Sequence, residues 1–440
     1  MNIKKKKPVF AGGIHPPERK MTADGKIIAL GAPRRVVLPM LQHPGCAAKP
    51  KVAVGEAVLR GQKIADAGGN VSAGVHSSIS GKVAAVTAWE HPALLKPVES
   101  VVIDSDGKDA AAPMNTVFSD YVRHSRDDIR AAIAEAGIVG LGGACFPSHI
   151  KLNPPKGKDI DFLVLNACEC EPYLTSDDAL VRERAKEIIE GAKIISHIID
   201  AYQTIIAVED NKPRAIEILR GLAFNEPNLT VAALPVKYPQ GAEKQLIYAV
   251  TGRVVPTGGL PFQVGCVVHN VATAYAVFEA IKKGKPLYER VVTVSGDAAK
   301  SPGNYLARVG TLLSELLEAA GGLDGALEKI VVGGPMMGFA QASPEVPVVK
   351  GTSGVLFLSD SRSGDFNPCI RCAKCVMVCP MNLMPNMLSV LGEKELYDDT
   401  ANYYAADCIE CGCCAYVCPS NRPIVAQIKL AKSYLCSKKS

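Results

Sequence analysis

The sequence has no apolar stretch long enough to cross a membrane. A membrane-spanning helix needs about 20 predominantly apolar residues. The nearest candidate, residues 188–208, is interrupted by Glu190, Lys193, His197 and Asp200. We therefore expect no membrane-spanning helix, so that any attachment to a membrane runs through a partner.

A large excess of one charge is missing as well. The chain has 49 basic and 44 acidic residues, a net charge of +5, which is too small to indicate nucleic-acid binding. The basic run at residues 4–7 leads into Pro8 and then two glycines instead of the apolar segment of a secretory signal. We therefore expect a soluble, cytoplasmic protein with no nucleic-acid partner.

A disulfide framework is the third absence. Seven of the 15 cysteines follow no regular spacing, which does not indicate a disulfide-stabilised secreted domain. They are Cys46, Cys145, Cys168, Cys170, Cys266, Cys413 and Cys436. A length of 440 residues, 48% of them hydrophobic, allows several domains with their own cores. We expect a multidomain protein from a reducing compartment.

The other eight cysteines form two identical runs near the end of the chain, each with the spacing C-x2-C-x2-C-x3-C-P. In such runs three thiolates hold one [4Fe–4S] cluster, and the fourth cysteine reaches across to the other cluster. The first predicted ligand set is Cys369, Cys372, Cys375 and Cys418, and the second is Cys379, Cys408, Cys411 and Cys414. Zinc is the alternative, because C-x2-C pairs also suit tetrahedral Zn²⁺, but zinc gains nothing from two runs that end in Cys-Pro. Cys413 is expected to be a neighbour of the second cluster and not a ligand.

Two N-terminal regions precede the rest of the chain. Residues 1–30 are polar and rich in glycine and proline, which predicts an arm lying over another domain. Residues 31–112 contain short β-like runs punctuated by glycine, which predict a small barrel. The sequence of residues 54–65 resembles that of a biotinyl/lipoyl-type hybrid barrel. However, Asn70 and Val71 occupy the region where the lysine that carries lipoate or biotin is expected. The barrel is therefore expected to be structural or to dock a partner, with a swinging-arm domain as the alternative.

Alternating strands and helices follow in residues 113–285 and predict an α/β domain with a mainly parallel sheet. Ser125 is placed to cap a helix at residues 126–136. Predicted strands cover residues 162–166, 204–208 and 229–234, and predicted helices cover residues 177–199, 213–224, 241–251 and 272–282.

The remaining chain divides into two smaller domains. Residues 286–352 predict a β-α-β unit of α+β type, with strands at 290–296 and 329–333 and a helix at 312–320. Residues 353–440 predict a helical two-cluster domain with a spacer helix at 387–396. The expected fold class is thus multidomain α/β.

A glycine-rich loop, G-L-G-G-A-C-F-P-S-H-I-K, runs from Gly140 to Lys151. Alone it is weak evidence of a site, and it lacks the third glycine and preceding strand of a dinucleotide fingerprint. Backbone N–H groups without side chains around them can nevertheless approach a phosphate or a flat ring. Phe146 offers an aromatic face, and Lys151 offers a cation.

Three further polar segments follow the loop in order. Residues 166–173 end a predicted strand, which is where ligands bind in open α/β sheets. A metal site at Cys168 and Cys170 is an alternative, although sequential neighbours in an extended segment point to opposite faces. A polar collar around a cofactor is favoured, with a solvated turn also open. Residues 238–245 and 268–273 start helices, where each alone would be read as a cap.

The order of these motifs carries a resemblance. G-x-G-G-x-x-F-P-x-x-x-K, N-A-x-E-x-E-P, Y-P-x-G-A-E-K and V-x-N-V-x-T together resemble the NADH-binding flavoprotein subunit of respiratory complex I. With the barrel, the β-grasp-like unit and the double cysteine run, the whole chain resembles the C subunits of Rnf ion-translocating oxidoreductases. The resemblance implies an α/β domain that holds FMN non-covalently and stacks a nicotinamide on its ring.

The resemblance also assigns residues. For the FMN phosphate and ribityl chain they are Gly140, Gly142, Gly143, Ala144 and Lys151. For the ring side they are Asn166, Glu169 and Cys170, and the pocket is closed by Tyr238, Gly241, Asn270 and Thr273. For NADH they are Phe146, Glu171 and Glu243. The chain departs from the complex I pattern at Leu141, Cys168, Cys170, Ala242 and His269.

The function implied by the resemblance is electron transfer. Hydride would move between NAD(H) and FMN, and single electrons between FMN and two [4Fe–4S] clusters, with no acid or base required of the protein. The implied partners are other Rnf subunits on the cytoplasmic side of the membrane, with ferredoxin reached through one of them. The alternatives are a soluble NADH-dependent reductase similar to cobalamin reductases, and a non-catalytic relay or docking subunit with an empty flavin pocket.

Overall fold

The N-terminal region forms the predicted arm and barrel. The computed structural model describes residues 9–94, 96–360 and 364–438, so residues 1–8 of the predicted arm lie outside the described part. The strands are β1 (Ile27–Ala29), β2 (Arg35–Pro39), β3 (Lys49–Pro50), β4 (Ala57–Val58), β5 (Lys63–Asp66), β6 (Val75–His76), β7 (Gly81–Glu90) and β8 (Pro97–Ser105). Two antiparallel sheets, β2-β8-β7-β4 and β3-β5-β6, enclose a core that includes Leu38, Ile64 and Ile103. The predicted barrel is confirmed.

The α/β domain follows in the order predicted. Its elements are α1 (Arg126–Glu135), α2 (Ser148–Lys151), β9 (Phe162–Ala167), α3 (Ser176–Ile199), β10 (Gln203–Glu209), α4 (Pro213–Ala223), β11 (Leu229–Leu234), α5 (Glu243–Thr251), β12 (Cys266–Asn270) and α6 (Val271–Lys283). Ser125 caps α1 by accepting a hydrogen bond from the Asp128 backbone N–H. Short 3₁₀ helices at Tyr121–Arg123 and Pro261–Val264 flank the domain's first and last parts.

The strand order β11-β10-β9-β12 creates a switch point in the sheet. All three strand pairs are parallel, as predicted, and their apolar runs are covered by helices. The chain winds outward from β9 through β10 to β11 and then returns to the opposite side of β9 with β12. Ligands of such sheets bind at the carboxyl ends of the strands where the winding direction changes. Here that edge carries Asn166 of β9 directly beside Asn270 of β12.

The next domain is larger than its sequence prediction. Its elements are β13 (Glu289–Ser295), β14 (Gly303–Arg308), α7 (Leu313–Ala319), β15 (Lys329–Val332), β16 (Phe339–Gln341) and β17 (Gly354–Leu358). They form a six-stranded mixed sheet in the order β1-β14-β13-β17-β15-β16. The sequence indicated only β13, α7 and β15. It missed that β1 from the arm and β17 from beyond the expected boundary at residue 352 join this sheet, because such pairing is not local.

The C-terminal domain is helical, as predicted. Its helices are α8 (Lys374–Met377), α9 (Pro385–Glu393), α10 (Cys413–Tyr416) and α11 (Ile424–Ser437), with 3₁₀ helices at Asp398–Tyr403 and Ala405–Asp407. Leu388 of α9 packs with Ile424 and Ile428 of α11 in the domain core. Within the described ranges, no helix is both long and apolar enough to span a bilayer.

Candidate functional site

The eight predicted ligand cysteines of the two runs line two cavities in the C-terminal domain. The first, called the outer cavity, is lined by Cys369, Cys372, Cys375 and Cys418. The second, called the inner cavity, is lined by the predicted ligands Cys379, Cys408, Cys411 and Cys414, and Cys413, predicted to be a neighbour and not a ligand, also lies along it. Each cavity combines three cysteines of one run with the last cysteine of the other, and four thiols are the donor set that a [4Fe–4S] cluster requires. These are the two predicted ligand sets, which remain a prediction until iron is measured.

The two cavities differ in exposure. Cys372 of the outer cavity is exposed to solvent and Cys369 is half-buried. Three thiols of the inner cavity, those of Cys379, Cys411 and Cys414, are buried. The cysteines of the outer cavity are therefore more exposed to solvent than those of the inner cavity.

The glycine loop leaves a bare backbone surface beside the switch point of the sheet. Gly140 N–H donates to the Phe146 carbonyl at 2.9 Å, which closes the loop, and Leu141 N–H donates to Thr273 Oγ1 at 2.9 Å, which fixes it to α6. Gly143 has φ +104° and open space above it, while a side chain on Gly142 would lie 3.2 Å from Asn270. Bare amides facing open space fit a phosphate or a flat ring. This cradle is the observation that fits FMN to the site.

Two asparagines organise the polar edge of the sheet. Asn166 Nδ2 donates to the Gly241 carbonyl at 2.8 Å, and its Oδ1 accepts the Cys168 N–H at 2.9 Å. Asn270 Oδ1 caps α6 by accepting the Ala272 N–H at 2.8 Å. The structure thus brings the predicted residues 166, 241, 270 and 273 around one edge, next to the glycine loop.

Lys151 and Glu243, predicted to contact FMN and NADH respectively, contact each other. The Lys151 Nζ lies 2.6 Å from Glu243 Oε1, and both side chains are partly exposed. Glu243 is the first residue of α5, where a carboxylate is favoured by the helix dipole. Phe146 is half-buried in the same loop region. An exposed ion pair of this kind is weak and can exchange partners when a charged ligand binds.

Glu169 is a helix cap. Its carboxylate accepts hydrogen bonds from the backbone N–H groups of Asp177 and Asp178 and from the Ser176 hydroxyl, at 3.0 to 3.3 Å. It is buried at the start of α3. Glu169, which was predicted to lie on the ring side of FMN, therefore also stabilises the start of α3.

Glu171 faces the neighbouring mixed-sheet domain. Its two oxygens accept the N–H groups of Met336 and Met337 at 3.1 and 2.9 Å, and the Tyr238 hydroxyl lies 3.4 Å away. Burial raises the pKa of the Glu171 carboxyl to about 7. The sequence resemblance placed this carboxylate towards NADH, and the structure shows it occupied by backbone amides of the loop after β15.

The two cysteines between these acids do not converge. The Cys170 thiol accepts the Gly241 N–H at 3.4 Å, while the Cys168 thiol donates to the Ala207 carbonyl at 3.5 Å. In the described part of the chain, no three Cys, His, Asp or Glu side chains come close enough to hold a single metal ion.

Tyr238 joins the flavin side to the inner cavity. Its hydroxyl donates to the carbonyl of Cys411 at 2.7 Å, and its side chain is buried. Gln245 of α5 makes a second link by donating from Nε2 to the Pro380 carbonyl at 3.0 Å. The inner cavity is thus the one that adjoins the α/β domain.

Two charged residues of the site were missed by the sequence reasoning. Asp177 accepts a hydrogen bond from Asn270 Nδ2 at 2.6 Å, and burial together with Glu169 raises the pKa of its carboxyl to about 7. Arg290 of β13 reaches into the α/β domain, where Nη2 donates to the Leu141 carbonyl at 3.3 Å. A charged residue within the apolar run of β13 was the available signal for Arg290. Asp177 looked like an ordinary residue of a helix's first turn.

Comparison with known families assigns each part of the chain. Residues 8–108 match the RnfC barrel sandwich hybrid domain, and residues 133–279 match the Nuo51 FMN-binding domain. Residues 291–340 match the SLBB domain, and residues 368–422 match a 4Fe-4S dicluster domain. The chain therefore combines a flavin-type module with a two-cluster module.

The chain is similar in fold to a solved hydrogenase structure. The NAD⁺-reducing [NiFe]-hydrogenase in its H₂-reduced state aligns with a TM-score of 0.52 and 21% identity, over 73% of this chain and 65% of that chain. The match spans just under two thirds of the hydrogenase chain and at this identity it shows the fold alone.

Two relatives match almost the whole chain. The first is the C subunit of the proton-translocating ferredoxin:NAD(+) oxidoreductase complex from Clostridium ljungdahlii, 45% identical over 96% of this chain and 93% of the relative. The second is the C subunit of the Na(+)-translocating ferredoxin:NAD(+) oxidoreductase complex from Acetobacterium woodii, 43% identical over 98% of both. With identities of 43–45% over nearly its full length, the chain belongs to the family of C subunits of Rnf-type ferredoxin:NAD(+) oxidoreductase complexes.

Proposed function

We propose that this chain is the flavin and iron–sulfur subunit of a membrane-bound, ion-translocating ferredoxin:NAD⁺ oxidoreductase complex. The support is family membership together with the FMN-binding and dicluster modules within one chain. The two relatives are named for different ions, a proton in one and Na⁺ in the other. The partners are the other subunits of the complex.

The α/β domain holds FMN at the switch point of its sheet. Bound FMN exchanges a hydride with NAD(H) and passes electrons singly, which the amino-acid side chains cannot do. The bare amides of Gly142 and Gly143 bind the cofactor, and Asn166 and Asn270 supply polar groups at the strand ends. Lys151 supplies the positive charge for the phosphate. Cys170, Tyr238, Gly241 and Thr273 complete the pocket, with Gly140 and Ala144 in the loop and Glu169 behind it.

The nicotinamide approaches from the open side of the glycine loop. Phe146 and Glu243 lie at this side and are partly exposed, so they are available to a ligand. Glu243 orients the dinucleotide after Lys151 is taken up by FMN. Glu171 contributes by holding the loop at Met336 and Met337 against the α/β domain, which shapes the pocket from behind.

Cys379, Cys408, Cys411 and Cys414 would hold the cluster next to the flavin side, and Cys369, Cys372, Cys375 and Cys418 would hold the cluster farther from it. Tyr238 contacts the backbone of the inner ligand Cys411, whereas Cys372 of the outer cavity is exposed to solvent. This contact between the flavin side and the inner cavity is the observation that carries the proposed function. The exposed Cys372 would place the outer cluster within reach of another subunit, which would link it to ferredoxin on the cytoplasmic side of the membrane.

Anaerobic purification with joint cofactor analysis tests the proposal. We expect about eight iron and eight sulfide, as two [4Fe–4S] clusters require, and one FMN per chain, with the flavin bleached by NADH. The variant Gly142→Asp should keep the iron and lose the FMN. A parent protein that holds iron but no more FMN than Gly142→Asp would instead support a relay subunit with an empty flavin pocket.

A pull-down separates the membrane complex from a soluble reductase. The tagged chain, captured from detergent-solubilised membranes of its own cells, should bring down integral membrane proteins in fixed ratio. Capture from the soluble fraction alone, with NADH-dependent reductase activity intact, would contradict a membrane-bound complex.

A further inference from the structure

The N-terminal arm, residues 9–30, crosses the junction between the flavin side and the inner cavity. Gly13 N–H donates to the Val378 carbonyl at 2.9 Å, and Ile14 and Tyr238 exchange backbone hydrogen bonds of 2.9 Å in both directions. Lys237 Nζ donates to the Phe10 carbonyl at 2.7 Å and lies 4.4 Å from the centre of the Phe10 ring. The arm is therefore bonded to both sides of the junction.

Gly12 of the arm lies directly against the backbone of the segment that carries Cys379. Its φ of +68° lies in the region that favours glycine, and an added Cβ would lie 2.6 Å from the carbonyl oxygen of Cys379 and 2.8 Å from that of Val378. Both obstacles are backbone atoms, so a side chain at this position forces the arm or the Cys379 segment to move. Cys379 is a predicted ligand of the inner cluster.

Tyr238 contacts both the arm and the inner cavity. Its backbone pairs with Ile14, and its hydroxyl bonds the carbonyl of Cys411. Cys379 and Cys411 come from different cysteine runs but line the same cavity. The arm and Tyr238 together thus hold the inner cavity from two directions.

The arm continues to the flavin side. The Lys20 ammonium donates to the carbonyls of Glu169, Glu171 and Leu174 at 2.6 to 2.8 Å. Hydrogen bonds from a charged donor contribute more than neutral ones. Further on, β1 pairs with β14 in the mixed sheet. One continuous segment is therefore bonded to the cluster domain, the flavin-side loop and the mixed sheet.

We propose that the arm is a strap that fixes the inner cluster against the flavin pocket, with Gly12 as its positioning residue at the inner ligand Cys379. This inference rests on the proposed FMN and cluster sites. Domains within one chain move relative to each other unless their interface is large, and a functional site must be held within about 0.5 Å by its supporting contacts. A loosened strap leaves each cofactor in its own domain but slows electron transfer between them.

The test compares Gly12→Val with Gly31→Val in the full-length, cofactor-loaded protein. Gly31 is a matched control, because a Cβ there would have no atom within 4 Å. Stopped-flow absorbance follows FMN reduction by NADH, rapid-freeze EPR follows the inner cluster, and hydrogen–deuterium exchange follows residues 376–381. Gly12→Ala is measured as a milder version in case Gly12→Val does not fold.

Gly12→Val should reduce FMN at the parent rate but reduce the inner cluster about tenfold more slowly, since displacements of about 1 Å can slow a reaction step by orders of magnitude. Its residues 376–381 should exchange faster and its inner-cluster EPR signal should change, with Gly12→Ala between Gly12→Val and the parent. Gly31→Val should match the parent. An unchanged inner-cluster rate and exchange pattern in the folded Gly12 variants would overturn the strap, and so would an equal loss of FMN reduction.

The exchange measurement separates this inference from the proposed function. A parent that lacks FMN reduction contradicts the proposed function, whereas the protection of residues 376–381 and its loss in Gly12→Val still report on the strap. A parent with normal electron transfer and no protection of residues 376–381 would contradict the strap alone.

Discussion

The outer and inner cavities are built from the same cysteine spacing, yet they have different surroundings. Around the outer cavity, Cys372 is exposed to solvent and Ile370 is two-thirds exposed. Around the inner cavity, Tyr238 and Gln245 of the α/β domain bond directly to the backbone of the cysteine runs. Equal motifs therefore acquire different surroundings: the inner cavity adjoins the α/β domain, whereas the outer cavity includes a solvent-exposed cysteine.

The largest effect is expected from cysteine variants that each remove one of the two clusters. Cys414→Ser should lose the inner cluster, and NADH should then reduce neither cluster, because the inner cavity is the one that adjoins the α/β domain. Cys372→Ser should lose the outer cluster and leave the inner one reducible by NADH. Iron analysis and EPR of NADH-treated protein measure both results. If NADH reduced the remaining cluster equally in both variants, the proposed order of the two clusters would be contradicted.

A second variant removes FMN, which is the proposed source of electrons for both clusters. Gly142→Asp places a carboxylate against Asn270 in the flavin cradle, where it repels the FMN phosphate, so bound FMN should fall about tenfold or more. Both clusters should stay in place but remain oxidised when NADH is added. FMN fluorescence after denaturation gives the flavin content.

Gly221→Asp is the matched control for Gly142→Asp. Gly221 lies on α4, where a Cβ would meet no atom within 4 Å, so the same charge is added away from the site. This variant should keep its FMN. FMN loss in both variants would mean that the effect is general and not specific to the cradle.

Iron removal should distinguish the two cavities by exposure. A chelator should extract iron from the outer cluster severalfold faster than from the inner one, because Cys411 and Cys414 are buried while Cys372 is exposed. The loss of each EPR signal with time measures the two rates. Equal rates of loss for the two EPR signals would contradict a difference in exposure between the two clusters.

The smallest expected effect concerns the titrating carboxyl beside the inner cavity. Because burial raises the pKa of Glu171 from 4.5 to about 7, its protonated form is favoured in the folded state. Its contribution to stability is therefore fully present below about pH 4.5 and is lost as the pH rises through about 7. Relative to Glu171→Gln, the melting temperature of the parent should fall by a few degrees between pH 5 and pH 7.5.

Asp297→Asn is the control for the pH experiment. Hydrogen bonds from Ser359 lower the pKa of this exposed carboxyl, so it is ionised throughout the range from pH 5 to pH 7.5. The melting-temperature difference between this variant and the parent should stay constant. A constant difference for Glu171→Gln as well would show that Glu171 does not titrate in this range.

Local patterns predicted most of the fold. The cap at Ser125, the parallel strands β9, β10 and β11 and the helical C-terminal domain follow from short-range periodicity, capping and spacing, and the structure confirms them. The mixed sheet was only partly predicted, because β1 and β17 are short segments whose partners lie far away in sequence. Strand pairing of this kind depends on tertiary contacts and leaves no local signal.

The residues of the candidate site were also predicted only where local motifs indicate them. The glycine loop and the polar strand ends were predicted through motif order, and the structure places them at one edge of the sheet. The contacts of Glu171 with Met336 and of Arg290 with Leu141 join different domains. No motif within a single segment records such contacts, so the sequence assigned Glu171 to the nicotinamide and did not include Arg290.

The order of cluster reduction in the unaltered protein tests the account most directly. The oxidised protein is mixed with NADH, frozen at increasing times and examined by EPR, with the cysteine variants identifying each signal. We expect the inner-cluster signal to appear first and the outer-cluster signal to follow at its expense. An outer-cluster signal that appears first, or at a rate independent of the inner cluster, would contradict this order.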